Sequence, residues 1–160
     1  MFNRLQSIDP TLIMGHGLVV GQTMRQVHSF SLGIPQSSRG IAVISRFLAS
    51  NFGGKGLIII RIDERKVWPT EEWSNALVSA AFSDDCTTWT AFPIVFSYHG
   101  EAPFDELSNA IRIGLTSGWS FKFMSNQITA DFSDDEFASF VTNNELDRDN
   151  IRAIFSKFIT

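Results

Sequence analysis

Between residues 37 and 50 the apolar positions Ile41, Ile44, Phe47 and Leu48 recur at helical spacing, with Ser37 or Ser38 placed to cap the segment. Asn51 and Gly53-Gly54-Lys55-Gly56 end it, and Leu57-Ile58-Ile59-Ile60-Arg61-Ile62 follows as a branched, almost unbroken apolar run. Such a run predicts a strand buried on both faces. Pro69, Thr70 and the pair Glu71-Glu72 suit the positive end of a second helix, whose inward stripe is Trp73, Leu77, Ala80 and Ala81 and which stops near Ser83-Asp84-Asp85. From Trp89 to Tyr98 the chain is β-rich. Pro93 removes a ladder donor there, so the strand proper is placed at 94–98.

Pro103, Asp105 and Glu106 open a third helix with Leu107, Ala110, Ile111 and Leu115 inward and Gly114 or Gly118 near its end. Trp119, Phe121 and Phe123 then alternate with Ser120, Lys122 and Met124, the period of a half-buried strand. Ser125-Asn126 turns that strand back into 127–132, a hairpin expected at a sheet edge. Ser133 with Glu136 reads as a capping box and predicts a helix through Phe137 and Phe140 to residue 142. Asp147 or Asp149 begins a last helix that uses Ile151, Ile154, Phe155 and Phe158. Residues 24–32 fit a strand, whereas 1–22, broken by Pro10, Gly15, Gly17 and Gly21, give no readable element.

Strand followed by helix thus occurs at least twice, and the two helix starts, Pro69 to Leu77 and Pro103 to Ile111, follow one grammar of proline, acid and inward apolar residues. Strands alternating with helices imply right-handed crossovers between parallel strands. The expected fold is therefore a single α/β domain over 1–160. Its sheet is mixed and mostly parallel, flanked by helices, with a C-terminal antiparallel hairpin and two C-terminal helices.

Composition narrows the function classes. Hydrophobic residues are 44% of the 160, with fifteen Phe and four Trp, enough for one sizeable core. Cys86 stands alone, which excludes an intrachain disulfide and fits a reducing compartment. Residues 1–30 lack the uninterrupted apolar stretch of a secretory signal, and no apolar run approaches the roughly 20 residues of a membrane span. These readings point to a soluble cytoplasmic protein. The net charge of −4 and thirteen scattered Lys and Arg argue against nucleic acid and suit a basic partner.

In a parallel sheet, ligands sit beyond the carboxyl ends of the strands, where Asp63 and His99-Gly100-Glu101 fall in this sequence. His99 as acid or base, Glu101 or Asp63 as its carboxylate partner and Arg39 for an anionic substrate make up one reading, a small enzyme. No cofactor or metal is expected. His16, His28 and His99 lack metal-ligand spacing, and Gly53-Gly54-Lys55-Gly56 follows a helix and precedes a strand, the reverse of a phosphate loop.

Three local resemblances bear on function. Val95-Phe96-Ser97-Tyr98-His99-Gly100-Glu101 ahead of a helix resembles the first strand and loop of TIR domains. Tyr98-His99-Gly100 with Ile111 and Gly114-Leu115 resembles the opening of some ADP-ribosyltransferases. Both families place that segment near the domain start, and too few residues follow it here, so no catalytic residue is carried over. Ile58 to Phe82, a strand, then Asp63, then an acidic-started helix, is similar to the opening of barstar-type inhibitors. That resemblance implies an acidic helix edge used against a basic toxin, with Glu71, Glu72, Asp84 and Asp85 as contacts. The reading put first is a small intracellular protein-binding domain of inhibitor or immunity type that neutralises a basic toxin or effector, with the small enzyme as the alternative. Self-association is a further use for the aromatic residues.

Overall fold

The branched run that opens at residue 57 becomes the centre of the molecule. In a computed structural model, which describes residues 3–4, 28–53, 56–64, 82, 94–100, 104–133 and 136–158, strand β3 is Gly56–Glu64. It pairs on one side with β4, Ile94–Gly100, and on the other with β5, Ser120–Met124. Ile58, Ile59, Ile60 and Ile62 are each 1% exposed, so both faces of this strand are buried.

The remaining strands among the described residues are β1 (Asn3–Arg4), β2 (His28–Gly33), β6 (Ile128–Asp131) and β7 (Phe137–Thr142). Together they form a seven-stranded sheet in the order β1-β4-β3-β5-β6-β7-β2, and every neighbouring pair is antiparallel. The expected mostly parallel sheet is overturned. The reason lies in adjacency rather than direction. Helix α1 (Ser38–Phe52) leads from β2 to β3, and helix α2 (Phe104–Thr116) leads from β4 to β5. Following the antiparallel pairings across the sheet, each of these helices does join two strands that run the same way. The crossover leaves a gap, however: β3 fills the place between β4 and β5, and β5, β6 and β7 lie between β2 and β3. Strand-helix-strand order alone does not say whether the two strands touch.

Two other expectations change. The hairpin of β5 and β6 turns where Ser125 donates its amide to Ile128 O at 2.9 Å, but it lies inside the sheet, not at an edge. The segment after Ser133 is the strand β7 and not a helix, so one C-terminal helix remains, α3 (Glu145–Phe155). The capping-box signal is local, whereas Ala138, Phe140 and Thr142 alternate with more exposed residues and find ladder partners on both sides in β6 and β2. Ser133 serves a turn instead, donating both its amide and its hydroxyl to Asp131 Oδ1. The helix expected over 69–82 lies outside the described residues, apart from Phe82, which packs on Phe96 with ring centroids 4.6 Å apart.

The three helices among the described residues cover one face of the sheet. Ile44, Leu48 and Phe52 of α1, Leu107 and Ile111 of α2, and Ile151 and Phe155 of α3 share one core with Ile58, Ile60, Phe121, Phe123 and Phe140. Aromatic contacts knit it: Phe121 stacks on Phe132 at 4.7 Å, and Phe140 meets Phe155 edge-on at 5.3 Å. On the other face Ile59, Val95 and Met124 are also buried. Beside them runs a polar row set by cross-strand register, Arg61, Lys122, Asp131, Ser139 and Ser31.

Candidate functional site

Helix α3 begins with a cap built from its own first residues. Asn144 has extended backbone, and its side chain accepts the Asp147 amide at 2.8 Å while donating to the Asp147 carboxylate at 2.5 Å. Thr142 ties the cap to the end of β7 by donating its hydroxyl to Asn144 O at 3.1 Å. Ile151 and Phe155 bury the inward stripe and so fix the rotation of the helix. Leu146, five positions before Ile151, is turned roughly 140° from it by the helical repeat and points away from the core. It is 70% exposed, the most exposed large apolar residue among those described.

Carboxylates surround Leu146 in sequence: Glu145 and Asp147 flank it and Asp149 follows. Arg148 is held within this group, its Nε 2.8 Å from Asp149 Oδ1 and its Nη1 3.6 Å from Glu145 Oε1. The hydrogen bond from Arg148 holds the Asp149 carboxyl below the usual carboxylate range, with smaller contributions from the charges of Arg148, Arg152 and His28. The same pairing raises the Arg148 pKa. The turn therefore presents an apolar side chain beside carboxylates that Asn144 and Arg148 hold. The sequence reading missed it by starting the helix at Asp147 or Asp149. The signal that was present is Asn144 followed three residues later by Asp147.

The polar row on the face opposite the described helices is paired within itself. Arg61 and Lys122 lie directly opposite each other, a repulsive arrangement for like charges, but each is neutralised by its own carboxylate. Arg61 Nε stands 2.5 Å from Asp63 Oδ1, and Lys122 Nζ 2.9 Å from Asp131 Oδ2. Ser31 and Ser139 share a hydrogen bond of 2.9 Å farther along the row.

Of the residues singled out from the sequence, His99, Asp63 and Arg39 are among the described residues, and they stand apart. Antiparallel pairing puts His99 opposite Leu57, near the start of β3, and Asp63 near its end, about 20 Å away at the rise of a strand. Carboxyl ends of neighbouring strands gather at one edge only when the strands are parallel. Asp63 is bound to Arg61 on the face opposite the described helices, whereas Arg39 is exposed in the first turn of α1, in the helix layer. Glu101, Glu71, Glu72, Asp84 and Asp85 lie outside the described residues, as do Cys86 and His16. Among the described residues no three His, Cys, Asp or Glu side chains stand together to hold a metal, and no helix is long and apolar enough to cross a membrane.

No protein-family model, curated protein or solved structure matches the chain. The local resemblances therefore assign no residue a role.

Proposed function

We propose that this chain is a small protein-binding domain of the inhibitor or immunity type, which neutralises a basic toxin or effector by occupying its surface. The observation that carries the reading is Leu146. The acids of the first turn have a structural reason to be there, since they suit the positive end of α3. Leu146 has none: it lies outside the core cluster of the described residues and exposes apolar area in a turn that is otherwise charged. An apolar side chain fixed on a rigid helix and rimmed by carboxylates fits a partner with an apolar pocket in a cationic surround. The apolar contact supplies affinity, and the charges steer encounter. The net charge of −4 acts in the same direction. Glu71, Glu72, Asp84 and Asp85 are proposed as additional contacts.

The test is affinity capture from native extract, followed by purification of the captured protein and measurement of its binding to variants. Leu146→Arg is expected to weaken binding at least tenfold, about 1.4 kcal/mol, without lowering the unfolding midpoint. Asp84→Asn with Asp85→Asn is expected to slow association most at low salt. An acidic partner, or unchanged binding by Leu146→Arg, would overturn the reading.

A further inference from the structure

At one end of the sheet β2 pairs with β7 on its inner side, and no described strand lies beyond it. Its six residues, His28–Gly33, include neither proline nor lysine, the residues that most often blunt an open edge. The inner ladder defines which neighbour this strand accepts. Phe140 lies opposite Phe30 with the rings stacked at 5.4 Å, and Ser139 lies opposite Ser31 with the hydroxyls 2.9 Å apart. Strand β2 carries the same chemistry in its own sequence, Ser29-Phe30-Ser31, and this triplet reads identically in both directions. It therefore offers to a second copy of itself what β7 offers to it.

We infer that β2 is a self-association edge at which two copies of the chain join antiparallel, centred on Phe30, into one continuous sheet. Facing residues of an antiparallel pair share a face of the sheet. Centring on Phe30 therefore puts Phe30 beside the partner's Phe30 on the helix side, and Ser29 beside the partner's Ser31, twice, on the other side. A slip of one residue sets Phe30 against the partner's Ser31 and sends the two helix layers to opposite sides, which breaks the match. The contact is isologous, so it closes at two copies and does not propagate. The joint uses the residues of β2, whereas the proposed partner contact uses the first turn of α3, which adjoins β2 where His28 faces Thr142.

Light scattering or sedimentation equilibrium across a concentration series tests the inference on the full chain. The mass should rise from 17.9 kDa toward twice that value with concentration. Ser29→Lys with Ser31→Lys puts two like-charge pairs across the joint and should keep the chain monomeric, as should Ser29→Glu with Ser31→Glu. Both positions are exposed, and circular dichroism with the urea midpoint verifies that each variant remains folded. An equimolar mixture of the two variants, with opposite charges now facing, should regain the doubled mass. That rescue separates a lost edge from a lost fold. A wild-type mass that stays at 17.9 kDa at the highest concentration reached, a lysine variant that dimerises like the wild type, or folded variants that fail to combine would each refute the inference.

Discussion

Gly114 stands against the ring of Phe121 so closely that a Cβ at position 114 would sit 2.3 Å from Phe121 Cε1 and 2.6 Å from Cδ1. The ring has little freedom to retreat, because it is 1% exposed and stacked on Phe132 at 4.7 Å. This glycine is how α2 approaches β5. The stop signal belongs to Gly118, which has φ +62 and nothing within 4 Å of its would-be Cβ. Gly114→Ala is expected to cost about 1–3 kcal/mol by overpacking, exceeding the propensity gain of roughly 1 kcal/mol that alanine brings to a helix. Urea denaturation measures the balance, and a more stable variant would contradict it.

Ile59 lies on the face of β3 away from the described helices and is still 1% exposed. Ile59→Asp buries a carboxylate with no cation opposite it, since its cross-strand neighbours are Ser97 and Met124. The expected loss is several kcal/mol. A variant that unfolds cooperatively at the parental midpoint would show that this face is open to water.

Asp131 links pH to stability. Burial alone would raise its carboxyl, but hydrogen bonds from Ser133 and Lys122, with the Lys122 charge, outweigh burial and hold it below the usual range. A carboxyl depressed in the folded state stabilises the fold above its unfolded value, about 3.9, and loses that contribution as pH falls through the lower folded value. Asp131→Asn should therefore lose less stability than the wild type on descending from about pH 4 to pH 2. Parallel declines in the urea midpoint would remove Asp131 from the account.

Asn144→Ala removes the acceptor that caps the Asp147 amide at 2.8 Å and should cost about 1 kcal/mol. Asn144→Ser keeps an acceptor without setting a second carboxylate against Asp147, and should retain most of it. Thermal melts of the two variants distinguish a cap from a general surface effect: equal losses would mean that the capping bond contributes nothing.

Much of the local structure was legible in sequence because its causes are local. The period of Ile41, Ile44 and Leu48 and the cap at Ser37 place α1, and the branched run through Ile60 places the central strand. The alternation of Phe121 and Phe123 with the turn at Ser125-Asn126 places the hairpin. What the sequence did not determine is who pairs with whom. A strand-helix-strand unit specifies that two strands run the same way, and only packing of the whole sheet decided that β3 would stand between β4 and β5. The same long-range pairing turned 137–142 from a capped helix into a strand, because ladder partners on both sides outweigh one capping box. It also separated His99 from Asp63. Leu146 became a candidate contact for a related reason: its exposure depends on the rotation of α3, which Ile151 and Phe155 fix through their tertiary contacts, and no local pattern encodes that rotation.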